Sequence, residues 1–428
     1  MDRLTALYEQ FDPLRPLGVN EADLYVDWQN LLDFADVKVS LVNSIARSRG
    51  PVCRLFTGHR GAGKTTELNR VKERLESGVA GRRFFVSMLY AEDWVDLADV
   101  QPEDLVLQIV RQLVSDLNNA GFAFAGAKFR NFFERLRHAV SVEGIEGIEL
   151  GADPLKVSLT LRDLPTARHE FRQLLQGQLQ TIYDLVNTEI LREALSWLAK
   201  RGYERILIIV DQLDRIPQKL LNGHRLTNHE NLFLDHAGTL RALACDVLYT
   251  VPIELAYSRC HGRLQDVYGG KILTLPAIPV RERGGEDSTR GLGVLREVVA
   301  RRATKAGVTL EELFESPELL TKVSRCSGGH IRGLFVLLSS ILDQTDDLPV
   351  TRKLLERSLS DSAAEFALPL RASDWRMLDD VRIARQPTDE ESDAWNRLLR
   401  DRVVLTYRDE RGYWYDCHPL LELVQREG

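Results

Sequence analysis

The sequence predicts an α/β fold: a parallel sheet covered by helices, then an all-helical stretch, then a small C-terminal module with a β-hairpin. Between residues 51 and 276, strand-like and helix-like segments alternate, the pattern that builds a parallel sheet. The strand candidates at 52–57 (VCRLFT), 83–90 (RFFVSMLY) and 205–210 (RILIIV) are apolar runs rather than alternating ones, as suits strands buried on both faces. From Asp287 to about Ser360 the pattern is helical throughout.

Taken in order, residues 1–50 form a lead-in broken by Pro13, Pro16 and Gly18, with a short strand expected at Asp23–Trp28 and a helix at Leu31–Ser48. The core runs over 51–280. After the first strand and a Gly-rich loop, Leu68, Val71 and Leu75 share one face of a helix over Thr65–Gly78. Leu105, Ile109 and Leu113 do the same for a helix over Pro102–Asn118. Residues 121–165 read as an insertion, with a helix at Phe129–Ala139 and a hairpin of Val142–Leu150 and Lys156–Leu161 about Gly151-Ala-Asp-Pro154. A long helix, Thr166–Arg201, leads to the strand Arg205–Val210, and Asp246–Val251 and Lys271–Leu275 are further strands. A helical lid is expected over 281–362. The module at 363–428 reads helix, helix, hairpin, helix, its strands being Val403–Arg408 and Tyr413–Cys417.

With 428 residues the chain has room for two or three domains. Its net charge of −7 argues against a protein held to DNA mainly by phosphate contacts, although a local basic patch survives such a balance. The five cysteines, Cys53, Cys245, Cys260, Cys326 and Cys417, have neither zinc-ligand nor disulfide-framework spacing, which points to reduced thiols and a cytoplasmic protein. His224, His229 and His236 share one stretch without a metal-binding spacing. The first residues lack the signal-peptide pattern, and no apolar run is long enough to cross a bilayer, so no membrane association is expected.

Gly58-His59-Arg60-Gly61-Ala62-Gly63-Lys64-Thr65 fits the P-loop pattern G-x-x-x-x-G-K-[ST] between a strand and a helix. Gly61 and Gly63 allow backbone N–H groups to face phosphate oxygens, Lys64 reaches the β- and γ-phosphates, the Thr65 hydroxyl ligates Mg²⁺, and Thr66 continues the helix N-terminus that favours anions. Asp211, closing the apolar strand after Val210, is the acid expected to hold Mg²⁺. The cofactors implied are ATP or ADP with Mg²⁺. The G-protein base motif N-K-x-D is missing from the sequence.

A P-loop followed by Asp211-Gln212-Leu213-Asp214 after an apolar strand resembles the additional-strand ATPases, the AAA+ and STAND groups. It is similar to origin-initiator AAA+ proteins, which carry Asp-Glu-h-Asp, and to NACHT and KAP modules, which carry Asp-x-h-Asp. The resemblance implies a P-loop NTPase core with a helical lid and a winged-helix-like C-terminal module. It also places the strand Asp246–Val251 between the P-loop strand and the Asp211 strand. Where AAA+ proteins have the general base, this chain has Gln212, which orients a water but takes no proton; Asp214 is the remaining carboxylate. The resemblance offers Thr250 as a polar sensor, Arg259 or Arg263 as an arginine finger, and Arg332 in Ser327-Gly-Gly-His-Ile-Arg332-Gly-Leu as a lid residue meeting the γ-phosphate. Arg in a helix N-terminal turn opposes the dipole, so a functional reason is expected there. STAND proteins have a proline near this motif, and this chain has His330-Ile331.

These readings imply a slow ATPase acting as a nucleotide-dependent switch, in bacterial signalling or defence by resemblance, with a DNA-associated initiator or loader as the alternative. If Thr388–Arg400 were a recognition helix, Asp389, Glu390, Glu391 and Asp393 would repel phosphate, so a protein partner or self-association is expected ahead of DNA.

Overall fold

The strands form where the apolar runs lie. The computed structural model describes residues 2–32, 36–122, 131, 169, 172–173, 176–221, 226–387 and 393–424. Strands β1 (Cys53–Gly58), β2 (Phe84–Tyr90), β3 (Arg205–Asp211), β4 (Asp246–Thr250) and β5 (Leu273–Leu275) make one parallel sheet in the order β2-β3-β4-β1-β5. The β4 strand is therefore inserted between the P-loop strand and the Asp211 strand, as the resemblance implied. The register pairs Phe56 with Thr250 and Val210 with Tyr249, bringing the ends of β1, β3 and β4 level.

Both faces of the sheet are covered, which is why its central strands are continuous apolar runs. Leu207 and Ile209 of β3 join a core with the helices Val37–Ala46 and Lys64–Ser77 and with the helical segment beyond residue 289. Ile206, Ile208 and Val210 face the opposite core, with Pro102–Asn119 and the helical stretch Leu179–Ala199, whose residues Val186–Leu191 are π-helical. At the start of the strands, the Asp246 carboxylate accepts from the Val52 N–H (2.9 Å) and pairs with Arg205, tying β1, β3 and β4 together.

Beyond β5 the helices are Thr289–Lys305, Leu310–Leu313, Pro317–Cys326, Ile331–Leu342 and Arg352–Ala367. The C-terminal module has the helices Ala372–Ala384 and Asp393–Arg400, then β6 (Val404–Asp409) and β7 (Gly412–Cys417) as an antiparallel hairpin, then a 3-10 turn at Pro419–Leu423 where a helix was expected. This hairpin lies on the core: the Ala277 N–H donates to the Thr406 carbonyl (2.9 Å), and the Tyr413 hydroxyl to that of Thr274 (3.0 Å).

The lead-in departs from expectation. Asp23–Trp28 is not a strand, and the helix expected at Leu31–Ser48 is confined to Val37–Ala46 after a separate turn, Trp28–Leu31. Leu24, Val26 and Trp28 are indeed buried in alternation, but no strand lies beside them. Alternation reports one-sided burial; a ladder also needs a partner for the backbone groups. The expected helix at Phe129–Ala139, the hairpin strands Val142–Leu150 and Lys156–Leu161, and the start of Thr166–Arg201 lie outside the described residues. Among the described residues no helix is long and apolar enough to cross a membrane.

Gly329 shows how closely the helical segment approaches the core. Its φ is +71°, and a Cβ there would stand 1.6 Å from the Ile278 carbonyl oxygen, which is backbone and cannot step aside. Gly329→Ala is expected to lower unfolding free energy by about 2–4 kcal/mol, combining a steric clash with a left-handed residue. Urea denaturation followed by fluorescence and far-UV dichroism measures it; a loss under about 0.5 kcal/mol, the range of neutral surface changes, would contradict this packing.

Candidate functional site: a cationic cleft over the P-loop

The helix Lys64–Ser77 begins at Gly63, whose φ of +99° turns the chain out of the loop. The first N–H groups of any helix lack intrahelical acceptors, so those of its opening turn face the cleft unpaired by construction. Lys64 is buried: its Nζ donates to the carbonyls of Gly58 (2.8 Å) and His59 (2.9 Å) and pairs with Asp214 at 2.9 Å. The Thr65 hydroxyl donates to Asp211 at 2.6 Å. Burial, then the neighbouring Asp214 charge, pushes Asp211 up to about 6. A hydroxyl and a carboxylate side by side at a phosphate loop are hard oxygen donors of the kind that hold Mg²⁺ together with substrate phosphates.

Immediately after Asp211 the backbone turns sharply. Gln212 has a φ of +70°, and its N–H donates to Asp211 Oδ1 (2.7 Å). Its side-chain Oε1 is buried and has no hydrogen-bond partner among the described residues, an acceptor open to a water or a ligand. Thr250 does not act in this cleft as a sensor would. It is fully buried, accepts from the Leu213 N–H (3.1 Å) and does not line the cleft. The level register of β3 and β4 puts it beneath the turn, where it fixes the backbone that carries Asp214. Arg259 and Arg263 are exposed and also lie outside the lining; Arg259 has Glu230 at 3.9 Å.

Arg332 does reach the cleft. Its N–H donates to the Gly61 carbonyl (3.2 Å) and its Nε to the Pro13 carbonyl (3.0 Å). Its side chain lies so close over Gly61 that a Cβ on Gly61 would sit 2.6 Å from Arg332 Cβ. Gly61 thus admits Arg332 as well as freeing the loop. Arg60, Arg215 and Arg332 all line the cleft. Burial and mutual repulsion hold Arg215 and Arg332 below the usual guanidinium range, with Asp214 partly offsetting this for Arg332. Arg215 pairs with Glu92, whereas among the described residues Arg60 donates to the carbonyls of Asp214 and Arg215 and has no ion pair. The local charge is therefore positive although the chain is acidic overall.

The opposite wall comes from the lead-in, which sequence reasoning left without a role. Pro13–Leu17, Leu24–Val26 and Trp28 line the cleft with Val298 and Phe335 from the helical segment. The Leu17 N–H donates to the Thr66 hydroxyl (3.2 Å), and Asn69 donates to the Leu17 carbonyl (3.0 Å), strapping this segment to the P-loop helix. Tyr25 hydrogen-bonds to Glu67 (3.2 Å), beside Lys38. The cleft encloses about 1050 Å³ of non-atom space, open solvent included. Its apolar wall suits an aromatic base and its cationic floor a polyphosphate. Aromatic and aliphatic residues at breaks in a lead-in give no motif, so only their position in space reveals them.

Gly58 and His59 depart from their expected place against the cofactor. Neither lines the cleft, and their carbonyls are turned to Lys64. A Cβ at Gly58 would lie 2.7 Å from the Leu275 carbonyl oxygen. The His59 ring points away from the cleft, and its Nε2 accepts from the Thr406 N–H of β6 at 2.9 Å. His330 caps the Ile331–Leu342 helix through Gly333 N–H (2.9 Å) and its Nε2 bonds to the Arg60 carbonyl. His229 is buried with Nε2 on the Ile216 carbonyl, and among the described residues no cluster of His, Cys, Asp and Glu is placed to hold a metal by itself.

No family model matches the sequence, and no curated protein matches it. Among solved structures, the ORC2 protein of Aeropyrum pernix, in ADPNP and ADP complexes, is 14% identical over 97% of this chain and 96% of that one, with a TM-score of 0.40. A Walker-type ATPase of Pyrococcus abyssi is 13% identical over 97% and 99%, with a TM-score of 0.44. The A. pernix ORC1 protein in complex with DNA is 14% identical over 99% and 95%, with a TM-score of 0.38. At this level of likeness the fold is read from the sheet order and the loop geometry of this chain itself.

Burial and nearby cations, Lys64 and Arg402 for His59 and Arg402 for the others, push His59 and His418 down to about 3 and hold His330 well below the ordinary imidazole value. A folded-state value below the unfolded one means that the neutral ring persists as pH falls through 6.5. The ring protons of these three histidines are accordingly expected to keep constant chemical shifts from pH 8 to pH 5. A titration midpoint near 6.5 for any of them would show that its ring is not enclosed at this junction.

Proposed function

We propose that the chain binds ATP with Mg²⁺ in this cleft, hydrolyses it slowly, and uses the nucleotide state to alter how the sheet core, helical segment and C-terminal hairpin sit together. The observation that carries the reading is the convergence of Lys64, Thr65 and Asp211 beneath Arg60 and Arg332, cations that have no carboxylate ion pair among the described residues. A half-buried cation without an anion is unfavourable, and a polyphosphate supplies the missing charge. The apolar wall from the lead-in takes the base. Bound Mg²⁺, held through Thr65 and Asp211, would neutralise charge on the phosphates.

Phosphoryl transfer to water requires the water to be oriented and its proton removed. Gln212 offers its open Oε1 for orientation. Asp214 offers the carboxylate, yet it is engaged by Lys64, which must turn toward phosphate for it to be freed. This division supports slow turnover.

The preference for a protein partner over DNA is not kept. It leaned on the acidic net charge and on Asp389, Glu390, Glu391 and Asp393, of which only Asp393 lies among the described residues. A DNA-associated initiator or loader role, of the kind suggested by compared proteins solved on DNA, is therefore tested on equal terms with self-association. A gel shift at 50 and 200 mM salt reads the first, since phosphate contacts weaken steeply with salt. Mass in solution with ADP and with an ATP analogue reads the second.

Lys64→Ala is expected to lower ATP affinity at least about a hundredfold by calorimetry, as truncating one partner of a buried charge pair costs about 2–5 kcal/mol. Unchanged affinity would remove the nucleotide from this cleft. Gln212→Glu is expected to raise kcat about 10²-fold at nearly constant ATP affinity, within the range general-base help provides. Single-turnover kinetics check it: no rise, together with abolished turnover in Asp214→Asn, would assign the base to Asp214 instead.

A further inference from the structure

One charged side chain lines the apolar wall of the cleft. Arg302, on the helix Thr289–Lys305, is 5% exposed and belongs to the lining together with Val298 and Phe335. Its guanidinium lies over the Phe335 ring, 4.5 Å from the centroid. Of its five N–H donors, Nη1 gives one bond to the Val298 carbonyl, one turn back on the same helix (3.3 Å). Among the described residues it makes no other hydrogen bond and no ion pair. Burial pushes the guanidinium down to about 10; Glu21 acts the other way, but Glu21 is already paired with Arg15. A side chain so enclosed, with most of its donors unused, calls for an acceptor from the cleft itself.

The position of Arg302 says which part of a ligand it meets. On the helix Ile331–Leu342, Arg332 is held at the P-loop by the Gly61 carbonyl, and Phe335 comes three residues later, about 4.5 Å along the axis. The same helix continues to Ser339, whose hydroxyl reaches the Phe11 carbonyl (3.5 Å), so it leads away from the loop and toward the lead-in. The helix that carries Arg302 is fastened there too: Arg301 donates to the Tyr25 carbonyl (2.6 Å), and Lys305 pairs with Asp23 (2.9 Å). Arg302 therefore sits on the side lined by Leu24, Val26 and Trp28, a turn of helix removed from the cations over the phosphate loop.

We propose that Arg302 reads the base of the nucleotide, donating a hydrogen bond to a ring nitrogen of the adenine while Phe335 holds its guanidinium in place. The proposal rests on the nucleotide reading above and adds the residue that recognises the base. An apolar wall accepts any flat ring in many orientations, and a few placed polar groups select one. A guanidinium only donates, and the ring nitrogens N1, N3 and N7 of adenine only accept, so the two are matched. A buried donor left without its acceptor is unfavourable, which makes the site discriminate against a base that lacks the atom.

The test uses the full chain and calorimetry with ATP, ADP and inorganic tripolyphosphate, all with Mg²⁺, and thermal melting without ligand. Arg302→Met keeps an unbranched chain against Phe335 and removes the enclosed cation. It is expected to melt no lower than the wild type, to bind ATP and ADP weaker by the same factor of about tenfold, and to bind tripolyphosphate within about twofold of the wild type. Unchanged ATP affinity would overturn the proposal. A matching loss for tripolyphosphate would overturn it as well, by putting Arg302 on the phosphates or making it a general support of the cleft. A second measurement needs no folded variant: 1-, 3- and 7-deaza-ATP each lack one ring nitrogen, and one of them is expected to bind the wild type about tenfold more weakly than ATP does. That difference is expected to vanish in Arg302→Met. Equal wild-type binding of all three analogues and ATP would refute the contact. A wild type that bound tripolyphosphate as tightly as ATP would sink this proposal alone, whereas one that bound neither would sink the nucleotide reading with it.

Discussion

The ammonium of Lys64 is the group on which the rest of the site depends. It is buried beneath the P-loop and shared between the carbonyls of Gly58 and His59 and the carboxylate of Asp214. Those partners come from the end of β1, from the loop and from the turn after β3, so one cation fixes the spacing of all three. A buried charge holds such an arrangement only while its hydrogen bonds are complete. A phosphate that recruits Lys64 therefore releases Asp214 and loosens the two carbonyls in the same step.

What surrounds Lys64 turns that exchange into a longer-range event. The His59 carbonyl faces the lysine while its ring accepts a hydrogen bond from β6. The Arg60 carbonyl meets His330 at the start of the Ile331–Leu342 helix, and the Gly61 carbonyl accepts from the Arg332 N–H two residues further. Three consecutive loop residues thus touch two parts of the chain, the hairpin and the helical segment. These contacts are direct, so the switch proposed above needs no intervening relay to reach the hairpin and the helical segment. The neutral histidines matter here: an uncharged ring makes hydrogen bonds in a crowded cationic junction without adding to its repulsion.

The cleft also shows how a chain of net charge −7 creates a strongly positive point. Arg60, Arg215 and Arg332 come from the P-loop, the β3 turn and the helical segment, and nothing in their sequence spacing marks them as a group. Global balance speaks to solubility and general association, whereas a site responds to the charges within a Debye length of about 8–10 Å. The local basic patch that the sequence left room for is therefore compatible with the acidic overall balance.

The sequence by itself determined the sheet and the catalytic end of its strands. The P-loop, the apolar strand ending in Asp211 and the alternation of strands with helices are local patterns, and local patterns dictate backbone conformation and two-sided burial. Placing β4 between β1 and β3 needed the family resemblance as well, because strand order is not written in periodicity. The tertiary structure alone decided which side chains share the cleft. Thr250 looked suited to sensing by its position at a strand end, yet the register sets it under the turn, bonded to Leu213. The alternating burial of Leu24, Val26 and Trp28 was legible, but whether those residues met a strand or a helix depended on what the rest of the chain brought to them. Arg332 was legible from its motif, but its place over Gly61, with its N–H on the Gly61 carbonyl, exists only once distant segments are folded together.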